Sequence, residues 1–229
     1  MTEHSIFLFV TYLLEKLSTY TARHKNSILI GILVLFYSVG IVGTHLDAYR
    51  VYFLSLSPFN LILSFVVAVL AIEEKSKANF LFFGCCYLLS MLAEWIGTST
   101  GYLFGTYHYG ANLGNTILGV PYVIGLNWWI LLMGASSIGA HLKLKPLNAA
   151  IFGALLMTLL DFLMEPVAIK SDFWHWKNEH IPFYNYVCWF ILAFLLMLLQ
   201  QKMSKPEPNK VHTALFLIIT LFFITQLLF

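Results

Sequence analysis

Charge is scarce in this chain. Asp, Glu, Lys and Arg make up 10% of its 229 residues against 59% hydrophobic ones, too few polar groups to cover a water-soluble globule. Cysteine is nearly absent as well. Cys85, Cys86 and Cys188 fall in apolar runs without metal-ligand spacing, which implies no disulfide and points to small buried apolar side chains. A net charge of +2 without a clustered basic patch excludes a nucleic-acid partner. There is no phosphate-binding glycine loop, no low-complexity linker, and no inverted repeat of the kind many transporters carry. The chain therefore reads as one domain, 1–229.

Long apolar runs are what it does have. In lipid every backbone polar group needs an internal partner, so runs of this length form helices. The fold class expected is all-α, a polytopic membrane protein with about seven transmembrane helices. Stretches able to cross a hydrocarbon core of ~30 Å lie at 26–46, 51–72, 78–95, 119–140, 148–165, 181–201 and 211–229. The segment 5–17 is apolar but short and ends in Glu15 and Lys16. It reads as part of an N-terminal interfacial segment, 1–25, ahead of a bundle at 26–229. An eighth span there stays open. Without a basic n-region and a small-residue cleavage site, no removed signal peptide is expected.

Lys and Arg concentrate on the cytoplasmic side of short loops. Seven spans put ten of the 13 basic residues on the side of the N-terminus and leave Arg50, Lys170 and Lys177 on the other. The N-terminus is thus expected in the cytoplasm, in the cell membrane. The loops on the opposite side, 45–50, 97–118 and 166–182, hold His45, Asp47, His108, Asp172, His175, Glu179 and His180. Glu94, Asp161 and Glu165 lie near helix ends on that same face, so a site is expected in the non-cytoplasmic half.

Ionisable groups in a bilayer cost ~2.5–3.5 kcal/mol on insertion scales, which makes each a functional candidate. Glu94 follows an uncharged apolar run, 80–93. Its structural alternative is a helix-terminal acid bonded by Thr98, Ser99 and Thr100. Asp161 and Glu165, four apart, share one helix face about 6 Å apart along the axis, and Pro166 is expected to end or kink that helix. The deeper Asp161 is expected to be drier than Glu165, a division suited to separate acid and base roles. Their alternative is anchoring to Lys170 or Lys177. Around the acids lie Tyr107, Tyr109, Trp128, Trp174 and Trp176, either an interfacial belt or a pocket lining. Glycines at 97, 101, 105, 110, 114 and 119 suggest a loop folded back into the protein. Histidine clusters of the HxxHH kind needed for a di-iron centre are missing, so no metal is expected, and His108 or His175 is assigned to proton transfer or hydrogen bonding. The last span offers no lysine for a retinal Schiff base.

These residues resemble the CruF-type carotenoid 1,2-hydratases, within the carotenoid biosynthesis membrane proteins. The match runs through Ala93-Glu94, Gly101, Phe104-Gly105, Tyr107, Tyr109, Leu113-Gly114, Gly119-Val120-Pro121 and Trp128. It continues at Asp161, Glu165-Pro166-Val167-Ala168, Trp174, Trp176, Pro182, Asn185 and Trp189. One departure is His180, where the family commonly carries glycine. The resemblance implies cofactor-independent addition of water across the terminal C1,2 double bond of an acyclic carotenoid such as lycopene. Glu94, Asp161, Glu165 and His108 are then the catalytic candidates, Asp161 or Glu94 being the proton donor. Tyr107, Tyr109, Trp128, Trp174, Trp176 and Asn185 are expected to bind substrate, with Asn185 and His108 also candidates for holding water. Expected partners are membrane lipid, the apolar carotenoid and other enzymes of the same pathway. Two alternatives stay open: a carotenoid end-group cyclase or isomerase sharing the protonation step, and a non-catalytic lipid-binding or transport protein.

Overall fold

Proline and small polar residues interrupt the apolar runs where the chain changes direction. In the computed structural model the backbone is described for residues 3–228, and side chains at 16 and from 23 to 228. Helix α1 covers Glu3–His45, so 5–17 is continuous with the first span; whether its side chains lie in an interface falls outside the described residues. The second expected span is broken into α2 (Arg50–Ser55) and α3 (Ser57–Leu70). Pro58 supplies no amide hydrogen and therefore favours the first turn of a new helix, while Ser57 Oγ donates to Leu54 O at 2.7 Å.

Helix α4 (Lys77–Thr100) starts at Ser76, whose hydroxyl accepts from Asn79 N at 3.2 Å, an N-cap. After the loop come α5 (Val123–His141) and α6 (Pro146–Lys170), then α7 (Phe183–Met203) and α8 (Lys210–Leu228). Among the described residues six helices are long and apolar enough to cross a membrane, and α3 is a shorter apolar helix. Pro166 does not end α6, which runs on to Lys170. It removes one backbone hydrogen bond, a loss that neighbouring packing sustains in membrane helices.

Helix α5 is the centre of the bundle, packed against α3, α4, α6 and α8. Trp128, Trp129, Leu131 and Leu132 on it are almost fully buried, and Trp129 packs against Phe65 and Phe83 at 5.4 and 5.6 Å. Large apolar side chains instead cover the outside, among them Leu35, Leu88, Leu159, Leu195 and Leu221. This is the arrangement of a lipid-solvated bundle.

One end of the bundle is capped by two folded loops. Strand β1 (Tyr107–Tyr109) pairs antiparallel with β4 (Trp174–Trp176), in the register Tyr107 to Trp176, His108 to His175 and Tyr109 to Trp174. Strands β2 (Thr116–Ile117) and β3 (Val120–Pro121) form a hairpin. Its two central residues, Leu118 and Gly119, have φ of 53° and 82°, as a tight primed turn requires. Arg50 ties helix ends together beneath this cap, donating to Thr44 O at 3.0 Å and Lys170 O at 3.5 Å, a cation set on carbonyls at two helix C-termini. Gln226 near the end of α8 donates to Thr44 Oγ1 at 2.6 Å, so α8 finishes on the same face.

Candidate active site

Alternation along the two-stranded ribbon builds the site. Successive side chains of a strand point to opposite faces, so Tyr107 and Tyr109 on β1 and Trp174 and Trp176 on β4 turn into the protein, while His108 and His175 turn out. Tyr107 approaches α4 where Gly97 lies: a Cβ at Gly97 would sit 3.0 Å from the Tyr107 hydroxyl and 2.9 Å from Leu103 O. The missing side chain is what lets the loop close over Glu94, one turn earlier.

Glu94 is 4% exposed. Its Oε2 accepts from Tyr107 Oη and, at 2.8 Å, from Tyr109 Oη; its Oε1 accepts from Trp128 Nε1 at 2.9 Å. Burial, and after it the adjacent Glu94 carboxyl, push both phenols well above the usual tyrosine range, so they remain protonated donors. Glu165 is 1% exposed. Its Oε2 accepts from Trp174 Nε1 at 3.0 Å and Trp176 Nε1 at 2.6 Å, and its Oε1 from Asn185 Nδ2 at 3.1 Å. The same Asn185 nitrogen donates to Asp161 Oδ2 at 2.7 Å. Asp161 is 0% exposed, and its Oδ1 has no hydrogen-bond partner among the described residues. The expected gradient is small: Asp161 is the drier of the two, yet Glu165 is almost as buried, because α6 continues past Pro166.

All three acids line one cavity of about 30 Å³, with Tyr107, Tyr109, Trp128, Trp174, Trp176 and Asn185. A water needs at least ~10–15 Å³ of such space, so one or two fit. The aromatic residues expected to bind substrate act here first as donors to the carboxyls. Glu94 does not depend on the Thr98, Ser99 and Thr100 cluster, whose hydroxyls donate to backbone carbonyls of their own helix.

His108 is not brought into the site. It is exposed, its ring 5.5 Å from His175 across the strand pair; strand alternation sends it away from its two tyrosine neighbours. His175 bonds Asp172 Oδ1 at 2.7 Å on that outer face. That bond first, and then the Ala111 amide, hold the Asp172 carboxyl below its ordinary value. Among the described residues no three His, Cys, Asp or Glu side chains form a group able to hold a metal ion.

Two residues went unassigned in the sequence. Trp189 on α7 stacks on Trp128 with ring centres 4.1 Å apart and planes at 20°. It stands within the sequence motif, but its partner lies across the bundle. Asn127 is 9% exposed, makes no side-chain hydrogen bond to a described residue, and borders both the carboxyl cavity and a second one. An amide inside an apolar span, next to Trp128, was the signal available. The second cavity, about 220 Å³ and mostly apolar, is walled by α1, α2, α3 and α8 and shares Ile124, Asn127, Met164 and Trp174 with the first.

Comparison with known proteins follows this geometry. Residues 56–229 match the family described as "Carotenoid biosynthesis protein". The bisanhydrobacterioruberin hydratase of Haloarcula japonica is 26% identical over 166 residues, covering 66% of this chain and 54% of the relative. The chain therefore spans about half the length of that curated relative. No solved structure matches the chain. Both matches agree with the resemblance to CruF-type proteins carried by the motifs around Glu94 and Glu165. Since the matched region includes every residue of the carboxyl cavity, the chain belongs to the carotenoid biosynthesis protein family.

Proposed function

We propose that this protein hydrates the terminal C1,2 double bond of an acyclic carotenoid end group, lycopene-like, giving a tertiary alcohol without a cofactor. The observation that carries the reading is Asp161 Oδ1, a buried carboxyl oxygen without a partner among the described residues, on the wall of a water-sized cavity. The name of the Haloarcula japonica relative, a hydratase, supports the reaction class.

Asp161 delivers a proton from Oδ1 to C2 of the alkene, leaving a tertiary cation at C1. The π faces of the stacked Trp128 and Trp189 and of Trp174 stabilise it electrostatically. A water held beside Asn127, at the junction of the two cavities, forms the new C–O bond. Its surplus proton passes to Glu165 and returns to Asp161 through the cavity water, so one π bond and one O–H bond are exchanged for C–H and C–O bonds. Glu94, with three donors on its two oxygens, fixes Tyr107, Tyr109 and Trp128 around the cation. His108 takes no part.

Expression in a lycopene-producing bacterium, followed by pigment mass analysis, tests the reaction. A gain of one water per reacted end supports it. Unchanged pigment alongside well-expressed protein would refute it, and cyclised pigment of unchanged mass would favour a cyclase. We further propose a cytoplasmic N-terminus and a site in the non-cytoplasmic half, supported by the ten-to-three distribution of basic residues. Reporter fusions finding both termini on one side would overturn that topology.

A further inference from the structure

The break in the second span and the apolar cavity behind it belong together. The residues that flank the break, Leu56 and Phe59, line the cavity and are 36% and 56% exposed. Facing them from α1, Phe36 and Val39 line the cavity while 38% and 48% exposed. The Phe36 and Phe59 rings lie 6.2 Å apart, tilted at 48°. Here the side chains that line the cavity are themselves exposed. Phe36 lies nine residues before His45, about 13 Å below the helix end, a depth within one leaflet's hydrocarbon.

The size of the cavity sets what can pass. About 220 Å³, roughly seven times the carboxyl cavity, is space for the branched terminus of an isoprenoid chain and not for a polyene of membrane-spanning length. The inner end of the cavity reaches Asn127 and Trp174, where the carboxyl cavity begins.

We infer that this cavity is a blind slot for one terminal isoprenoid unit, reached from lipid through a side door between Phe36 and Phe59. The remainder of the chain stays in the bilayer. This rests on the carotenoid reading and adds that the protein recognises the end group and not chain length, one end per visit. The Phe36 side of the door lies outside the region 56–229 that matches the family.

Two measurements on the full-length protein test the slot. In liposomes, acyclic isoprenoids sharing the end group but differing severalfold in length should be hydrated with kcat/KM values within about threefold of one another. Phe36→Trp and Phe59→Trp, which fill the door, should each lower kcat/KM at least tenfold for every length. Ile62→Trp, on the same helix and outward-facing but not lining the cavity, should leave it unchanged. Discrimination by chain length, or door variants indistinguishable from wild type, would overturn the slot even if hydration is confirmed. Binding separates the two readings: pigment should co-purify with Asp161→Asn and be lost on adding Phe59→Trp. Pigment retained in this way by a protein that hydrates nothing would uphold the slot and discard the hydratase. Phospholipid in its place, with no pigment, would discard the slot.

Discussion

Asn185 bridges Asp161 to Glu165: its single amide nitrogen lies 2.7 Å from Asp161 Oδ2 and 3.1 Å from Glu165 Oε1. The two carboxyls, one helical turn apart on α6, are held by a residue of α7. Among the described residues that leaves Asp161 with one donor and one unpartnered oxygen, whereas Glu165 and Glu94 each receive three donors.

The difference in donors separates the acids by experiment. A carboxamide keeps the shape of Asp161 but cannot protonate an alkene, so Asp161→Asn should lower hydration by about 10²–10⁴-fold at normal expression. Glu94→Gln should stay within about tenfold, since the amide can donate to Tyr107 and Tyr109, whose hydroxyls also accept, while its oxygen still receives the Trp128 indole. Product formation in membranes reads both. Near wild-type rates for Asp161→Asn would remove it as the donor.

Glu165→Gln should destabilise more than Glu94→Gln. Its three partners, two indole N–H groups and the Asn185 amide, all donate, so a glutamine NH₂ must face a donor. If Asn185 flips to relieve this, Asp161 loses the donor that Asn185 supplies. A buried unsatisfied group costs about 1–3 kcal/mol, visible as a lower Tm in detergent; an equal or smaller shift than for Glu94→Gln would contradict this arrangement.

Asn127→Leu tests water placement apart from protonation. If the amide holds the attacking water, the variant should still protonate the alkene but lose at least tenfold in alcohol formation. Run in D₂O, it should return unhydrated substrate carrying deuterium. Loss of exchange and hydration together would indicate a merely structural Asn127.

On the outer face, Asp172 should give the cap a contribution that survives mild acid and is lost in strong acid. Its carboxyl is lowered by His175 and the Ala111 amide, so its contribution is fully present above the unfolded value of ~3.9 and is lost as pH falls through the depressed folded value. Mild acid near pH 5 should leave this contribution intact. Stability in detergent from pH 7 to pH 3 should fall less steeply for Asp172→Asn than for wild type at the acid end.

Composition alone determined the solvent of this protein: with so little charge and such long uncharged runs, only helices in lipid can satisfy the backbone. The same sparsity made Glu94, Asp161 and Glu165 legible, because an acid in an apolar run has few structural reasons to be there. Local rules also marked Pro166 and the second span, and both outcomes needed the fold. Pro166 is carried inside α6, while Pro58 opens a new helix. Chain order could not show that β1 pairs with β4, some 65 residues on, and this pairing helps decide that Tyr107 and Tyr109 face Glu94 while His108 faces out. A period of two sorts neighbours onto opposite faces, but which face is inward is set by the partner strand and the helices beneath. Asn127 and Trp189 gained their places the same way, from helix packing that brings α5 and α7 together.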